Sequence, residues 1–399
     1  MQYENRRSAG IQSSPSMAVS MAAKKLRAEG RDIVDLSLGE PDFEPPRHVL
    51  DAACAAVNAG GVRYGAAAGT EALRAAIIAK FKRDNDLDFS PEELTVANGA
   101  KQILFDAFLA TLEPGDEVVI PTPCWVSYGD IVSLHGGTPV YVECGRQDDF
   151  KLTVQQLEEA ITPRTRWLML NSPSNPTGAI YSAAEYRALG AVLEKHPSIL
   201  ILSDEIYEHI LLRDHPFVSF GSVCPQLRER TLIVNGVSKA YAMTGWRVGY
   251  AAGPKTLIAA INKMQSQSVT SVCSIAQAAA KAALDGDQSF VQEAAKTFRR
   301  RAELVTAHLS EIPNIDFRQP DGAFYAFIGV TKLIGKTTPA GVTLKSDTDV
   351  AGYLLNDFGV SSVPGIAFGA PGFIRLSIAA SEAELTKACE RLKEMAASL

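Results

Sequence analysis

Three polar side chains stand next to short apolar runs in a pattern that could support covalent amine chemistry. Lys239 follows an apolar run that ends at a glycine, and Arg247 comes eight residues later. Asp204 directly follows the run Ile199–Leu202 and one serine. A desolvated lysine amine can attach to an aldehyde, a buried carboxylate can keep a pyridine nitrogen protonated, and an arginine can bind a phosphate. Together these residues predict an enzyme that uses pyridoxal 5'-phosphate.

Each of these residues also has a purely structural interpretation. Lys239 could be an ordinary solvated lysine, but its apolar and aromatic flanks favour a desolvated amine with a lowered pKa. Asp204 could instead cap the turn that comes after it. Arg247 stands between Trp246 and Val248 and is expected to be buried, and a buried arginine needs an anion, for which a phosphate is the simplest candidate.

Further polar groups follow neighbouring apolar runs. The turn that contains Gly99 opens a helical pattern, and the free N–H groups of a helix N-terminus can bind a phosphate, although the turn could also be an ordinary connection. Asn175 lies in the loop SPSNPTG, where its amide could bond a cofactor hydroxyl and a substrate carboxylate, or could simply belong to a turn. Tyr207, three residues after Asp204, could place its hydroxyl on the cofactor or could belong to the core.

Two more residues are candidates for contacts with a small acid and with a flat ring. Arg375 interrupts the apolar segment Phe373–Ala380, so we expect a bidentate partner, either a substrate carboxylate or a structural ion pair. Trp125 could cover a cofactor ring by stacking, or could be a core residue.

Short apolar runs alternate with amphipathic helical patterns between residues 89 and 252. The predicted strands of this region are Leu94–Ala97, Glu117–Pro121, Pro139–Glu143, Arg166–Asn171, Ile199–Ser203, Thr231–Asn235 and Arg247–Ala252. Helices such as Ala100–Leu112 and Ala183–Lys195 separate several of them, which predicts an α/β fold with a mainly parallel sheet covered on both faces. Ligands of such sheets bind beyond the carboxyl ends of the strands, where the polar groups described above should converge.

The rest of the chain predicts a second, smaller α/β domain. Its elements and the helices that lead to it are predicted at Ser16–Glu29, Ile33–Leu38, Lys255–Leu284, Ser289–Glu311, Gly322–Ile328, Phe373–Ala380 and Glu382–Ala397. We expect residues 1–45 to form an N-terminal arm and part of the small domain, residues 46–290 the large cofactor-binding domain, and residues 291–399 the rest of the small domain.

Composition excludes several other classes of protein. A formal net charge of −6 gives no basic surface for nucleic acid, and no apolar run approaches the ~20 residues that span a bilayer. The six cysteines form no CxxC pair and the six histidines show no metal-ligand spacing, so we expect no catalytic metal and no disulfide framework. The N-terminal segment lacks the apolar part of a secretion signal, which favours a cytoplasmic location.

The motifs of the chain occur in an order that resembles the fold-type-I pyridoxal-phosphate aminotransferases, and most closely their bacterial aspartate aminotransferase branch. The motifs are LSLGEPDF, YGAAAG, NGAKQ, CWVSY, NSPSNPTG, SDEIYEH, SKAYAMTGWRVGY and IRLSIA. The resemblance implies a homodimer with shared active sites that moves an amino group between an L-amino acid, aspartate or glutamate first, and a 2-oxo acid by a ping-pong mechanism. An aromatic or broad-specificity aminotransferase on the same scaffold is the alternative, and a catalytically silent binding protein is a third hypothesis.

The resemblance also implies a role for each matching residue. Lys239 would hold the cofactor and shuttle the proton, assisted by Asp204 and Tyr207. The residues implied to bind the cofactor are Gly99, Ala100, Lys101, Trp125, Asn175, Asp204, Tyr207, Ser238, Lys239, Arg247 and, reaching across to the neighbouring subunit, Tyr64. Those implied to bind the substrate are Ser16, Gly39, Lys101, Trp125, Asn175, Arg375 and, from the neighbouring subunit, Thr270.

Substrate choice depends on fewer residues. Lys101 occupies the place where the similar aspartate-specific enzymes have a lysine that meets the distal carboxylate of the substrate. The family often has a basic residue before a proline near position 13, and Gln12 and Ser13 stand there, which counts against a variant that accepts prephenate.

Overall fold

The computed structural model describes residues 3–5, 9–11 and 15–399. The strands in chain order are β1 (Val34–Asp35), β2 (Leu94–Ala97), β3 (Glu117–Thr122), β4 (Thr138–Glu143), β5 (Thr165–Asn171), β6 (Leu200–Asp204), β7 (Thr231–Gly236), β8 (Gly249–Ala252), β9 (Tyr325–Gly329), β10 (Val360–Ser361), β11 (Val363–Pro364) and β12 (Phe373–Ser377). The helices are α1 (Pro15–Ala28), α2 (Arg47–Ala59), α3 (Glu71–Asn85), α4 (Ala100–Thr111), α5 (Ser127–Leu134), α6 (Val154–Ala160), α7 (Ala183–Glu194), α8 (Phe220–Val223), α9 (Lys255–Ser268), α10 (Ser274–Asp285), α11 (Ser289–Ser310), α12 (Asp347–Phe358) and α13 (Glu382–Ala397).

The central sheet has seven strands in the order β2-β8-β7-β6-β5-β3-β4. All neighbouring pairs are parallel except those of β8, which runs antiparallel to both β2 and β7. The predicted α/β fold with a mainly parallel sheet is therefore confirmed. The seven predicted strands agree with the observed ones to within two residues at each end, and the largest difference is that β8 begins at Gly249.

Both faces of this sheet are covered, because successive side chains of a strand point to opposite faces. On β5, Trp167 and Met169 pack with residues of α4 and α9. Leu168 and Leu170, which alternate with them along β5, pack on the other face with residues of α7. This explains why the strands are continuous apolar runs without polar alternation.

Several helices begin where the sequence supplies a cap for the free N–H groups of the first turn. The side chains of Thr70, Ser182, Ser346 and Ser381 accept hydrogen bonds from the third residue of α3, α7, α12 and α13 respectively. The cap at Ser381 agrees with the predicted start of the helix at Glu382. Among the described helices, none has the length and apolar character that crossing a lipid bilayer requires.

The segments on either side of the large sheet meet in two small sheets. β1 pairs in parallel with β10, and β11, β12 and β9 form an antiparallel sheet. The predicted strand Ile33–Leu38 is shortened to two residues, since the backbone and side chain of Ser37 donate hydrogen bonds to the Asp35 carboxylate and the chain leaves the pairing there. The pairing of β1 with β10 agrees with the expectation that the N-terminal segment joins the C-terminal one, while the domain boundaries remain a prediction.

The long helical stretch predicted at Lys255–Leu284 is wrong in one respect, because it is two helices, α9 and α10. α9 ends where the N–H groups of Val269 and Thr270 both donate to the carbonyl of Gln265, and Thr270 takes a left-handed conformation with φ of 66°. A left-handed residue cannot continue a helix, so the chain changes direction before α10.

Candidate active site

A pocket of about 530 Å³ lies at the carboxyl ends of the parallel strands. Most of the predicted site residues contribute to its wall. Those that line it are Ser16, Gly39, Ala100, Lys101, Trp125, Asn175, Asp204, Tyr207, Ser238, Lys239, Arg247 and Arg375.

Lys239 comes three residues after the end of β7 and points into this pocket. Its Nζ donates a hydrogen bond to the carbonyl of Gly39 at 2.5 Å and lies 5.7 Å from the ring centres of both Tyr207 and Phe324. Burial lowers the pKa of the Lys239 amine to about 8, against the opposing charge of Glu40. The amine is thus withdrawn from water, as its flanking residues predicted, and about a tenth of it is unprotonated at pH 7.

Asp204 ends β6 and is also buried. Its Oδ2 accepts a hydrogen bond from the Tyr128 hydroxyl at 2.7 Å, and its Oδ1 accepts one from the backbone N–H of Ile206 at 3.2 Å. Burial raises the pKa of Asp204 to about 6, and the two hydrogen bonds oppose that rise. One carboxylate oxygen of Asp204 therefore caps the turn, as the structural alternative predicted. The other oxygen accepts the hydrogen bond from Tyr128 in the pocket wall.

Arg375 lies on β12 with its guanidinium buried between aromatic rings. Nη1 donates to the side-chain oxygen of Asn175 at 2.9 Å and Nη2 to the carbonyl of Ser37 at 2.8 Å. Its carbon atom Cζ lies 4.4 Å from the ring centre of Tyr325 and 4.8 Å from that of Phe368. No carboxylate of the described residues pairs with it, and its Nε is buried without a hydrogen-bond partner among them. This favours an external carboxylate over a structural ion pair.

The turn before α4 and Arg247 form a cradle suited to an anion. Gly99 has φ of 83°, a conformation that favours glycine, and a Cβ there would collide with the Arg247 guanidinium. Arg247 donates to the carbonyls of Thr244 at 2.9 Å and Asn98 at 3.3 Å, so a cation lies beside the N-terminus of α4.

The expectation that Arg247 is buried is wrong. The residue is exposed, although its neighbour Val248 is buried. Arg247 has a positive φ of 55°, and it lines the open pocket.

Lys101 and Trp125 contact each other at the pocket wall. The Lys101 Nζ lies 4.6 Å from the centre of the Trp125 ring. Partial burial and the charge of Arg247 lower the pKa of Lys101, and Asp130 opposes them. Both residues are therefore close enough to act on the same ligand.

Among the pocket-lining residues that were not identified from the sequence, three hydrogen-bond through their side chains to predicted site residues. They are Tyr128, which bonds Asp204, Tyr325, whose hydroxyl lies 2.8 Å from that of Tyr207, and Asn171, which accepts a bond from the Asn175 N–H. Asn171 ends β5, so the position of strand ends could have indicated it. Tyr128 belongs to the motif CWVSY but has no such signal of its own.

Other predicted residues lie outside the pocket wall. Gly99 lies directly behind it, while Tyr64 and Thr270 are exposed, with 92% of Tyr64 accessible. Gln12 and Ser13 fall outside the described residues, so the exclusion of prephenate stays a prediction.

The described residues include one cluster with metal-ligand chemistry, formed by Asp84, Glu208 and His209. The ammonium of Lys80 pairs with Glu208, so a protein cation already occupies this cluster, and we assign no ion to it.

A buried amine, a buried carboxylate, an anion cradle and an arginine without a carboxylate partner among the described residues lie in one pocket, an arrangement typical of enzymes that act on amino acids. The chain matches the family described as aminotransferase class I and II over residues 31–392. It belongs to this family.

Relatives of known name are similar over almost their full length. The aspartate aminotransferase of Rhizobium meliloti (strain 1021) is 51% identical over 94% of this chain and 92% of its own. The aspartate/prephenate aminotransferase of Nitrosomonas europaea is 48% identical over 98% of this chain and 99% of its own. The crystal structure of the aspartate aminotransferase from Rhizobium meliloti superposes with a TM-score of 0.97 at 49% identity and covers all of both chains.

Proposed function

We propose that this aminotransferase uses pyridoxal 5'-phosphate to move an amino group between L-aspartate or L-glutamate and a 2-oxo acid. The observation that carries the proposal is the pair of Lys239 and Asp204, both buried in one pocket beside an anion cradle. The names of the relatives support the choice of substrate, and the pocket supports the choice of cofactor.

The residues present fit pyridoxal phosphate on three counts. The turn at Gly99 with Arg247 matches a phosphate, because it combines free backbone N–H groups with a guanidinium. Asp204 suits a pyridine nitrogen, since a protonated ring would stabilise a buried carboxylate that has no ion-pair partner among the described residues. Lys239 matches the aldehyde, because an amine with a pKa of about 8 supplies enough free base to react.

The chain's own residues can then carry the transfer. When bound, the cofactor supplies an electron sink that acidifies the Cα–H bond of the amino acid. Arg375 and Asn175 hold the α-carboxylate and so orient that bond. Once the amine of the substrate has replaced it on the cofactor, the Lys239 Nζ would be free to accept the Cα proton as a base and then to donate a proton as an acid. Asp204 would hold the ring nitrogen in its protonated form.

The preference for a dicarboxylic substrate rests on Lys101. Its ammonium lies on the Trp125 ring beside the anion cradle and has no carboxylate partner among the described ion pairs, so it is available for a distal carboxylate. An aromatic substrate is the second candidate, favoured by the same Trp125 ring.

We further propose a homodimer with shared active sites in the cytoplasm. Tyr64 and Thr270 are both exposed and lie outside their own pocket, which suits residues that complete the site of a neighbouring subunit. All six cysteines lie within the described residues and are free, as expected of a reducing compartment.

The test combines a variant with a panel of amino donors. Lys239→Ala should abolish transamination of every donor and remove the absorbance of the covalently bound cofactor. Wild-type protein should transaminate 2-oxoglutarate fastest with aspartate among aspartate, phenylalanine and alanine. Normal turnover by the variant would contradict the mechanism, and a preference for phenylalanine would replace the substrate assignment by the aromatic one.

A further inference from the structure

An ion pair outside the pocket holds the chain segment that closes one side of it. The Nη1 and Nη2 atoms of Arg301, on α11, donate to the two carboxylate oxygens of Asp42, each at 2.7 Å. Arg301 is 6% exposed. Such a bidentate pair is directional, so it fixes Asp42 in both distance and orientation relative to α11.

The segment before Asp42 contacts both of the principal basic groups of the site. The carbonyl of Ser37 accepts from Arg375 at 2.8 Å, and the carbonyl of Gly39 accepts from Lys239 at 2.5 Å. Ser37 is anchored independently through Asp35. The pair of Asp42 with Arg301 therefore anchors the other end of a short strap, residues 37–43, over the pocket.

An aromatic layer joins the same ion pair to the interior of the site. The Arg301 Cζ lies 5.3 Å from the ring centre of Phe43 and 5.7 Å from that of Phe298. Phe298 stacks on Phe324 with ring centres 5.2 Å apart, and Phe324 faces the amine of Lys239. The strap and the lysine thus rest on one contiguous packed unit, which can transmit a shift of one to the other.

We propose that Asp42 and Arg301 are positioning residues that hold this strap, so that the carbonyl of Ser37 keeps Arg375 in place for an incoming amino acid. The inference rests on the proposed function, which assigns carboxylate binding to Arg375. Neither residue touches the pocket. Loosening the strap should weaken binding of the carboxylate more than it slows the chemical step, because Lys239 keeps its aromatic surroundings.

The experiment compares Arg301→Met with two related variants. Methionine keeps the apolar stem between the rings, and Asp42, with a side chain 30% exposed, can be hydrated once its partner is removed. Arg301→Lys keeps the charge. Arg299→Met is the matched control, since Arg299 lies on the same helix and pairs with Asp214 at the surface at 2.7 Å.

Three readouts separate positioning from stability alone. In Arg301→Met holoenzyme, the dissociation constant of succinate, an unreactive dicarboxylate, and the KM for aspartate should both rise about tenfold, with kcat changed less than about threefold. Amide hydrogen exchange should accelerate in the strap. Arg301→Lys should recover part of the succinate affinity, and Arg299→Met should match wild type.

The outcomes distinguish failure of the anchoring proposal from failure of the proposed function. Unchanged succinate affinity and KM in Arg301→Met, even with a lower melting temperature, would overturn the proposal, as would an equal effect in the control. If wild-type protein neither turns over aspartate nor binds succinate, while strap exchange still accelerates in Arg301→Met, the proposed function fails and the anchoring stands.

Discussion

The hydroxyl of Tyr128 offers a direct test of how the pocket keeps Asp204 ionised. Its bond of 2.7 Å to Oδ2 is one of the two hydrogen bonds that restrain the rise of the Asp204 pKa. Tyr128→Phe removes only that hydroxyl and leaves a ring of the same shape. The variant should therefore hold the carboxylate less well in its charged form.

The size of the effect can be worked out from the hydrogen bond. A bond to a charged group contributes about 1.5–3 kcal/mol, and one pKa unit corresponds to about 1.4 kcal/mol, so the Asp204 pKa should rise by roughly one to two units. From about 6 in the wild type, it would reach roughly 7 to 8. The ionised fraction at pH 7 would then fall from about nine-tenths to between about a half and a tenth.

The assay is the dissociation constant of pyridoxal phosphate for the apoprotein, measured from pH 6 to pH 9. Since the bound ring needs the ionised carboxylate, the variant should bind about 2- to 10-fold more weakly than wild type at pH 7. The difference should grow as the pH falls and vanish near pH 9, where both carboxyl groups are ionised. Tyr353→Phe, which removes a hydroxyl bonded to Ser398, is the control. A ratio that stays constant with pH would refute the electrostatic reasoning.

Two more variants examine the other parts of the pocket. Lys101→Leu should lower kcat/KM for aspartate by at least about tenfold, the value of a charge-assisted contact, and that for phenylalanine by less than about threefold; equal losses would remove the argument for a dicarboxylic substrate. Gly99→Ala should weaken pyridoxal phosphate binding by about tenfold, because its Cβ displaces Arg247. Gly30→Ala has a similar positive φ of 86° and open space around it, so it controls for backbone strain, and equal cofactor affinity in the two variants would contradict the cradle.

The sequence predicted the large sheet and the edge at which the site lies, for a simple physical reason. Parallel strands that are buried on both faces are continuous apolar runs, and their carboxyl ends share one edge. The polar residues that come after each run were therefore enough to bring Lys239, Asp204 and Asn175 together. Capped helix starts such as that at Ser381 were predictable for the same local reasons.

The features that the sequence did not reveal depend on contacts between distant segments. Arg375 bonds Asn175, 200 positions away in the chain, and only the approach of β12 to the large sheet reveals that pair. The hydroxyl of Tyr325 reaches the pocket by the same approach. Arg247 is exposed at the pocket, which its apolar neighbours in the sequence do not indicate.

The reversed strand β8 has a consequence for how the chain is threaded. Gly249, its first residue, pairs with Gly236 at the end of β7 and with Ala97 at the end of β2. If β8 were parallel to its neighbours, the residues before it would lie at the opposite end of the strands, about 10 Å away at ~3.3 Å per residue. Because β8 is reversed, Arg247, which precedes it, can bind the same ligand as Lys239, which comes after β7, and as the turn that comes after β2.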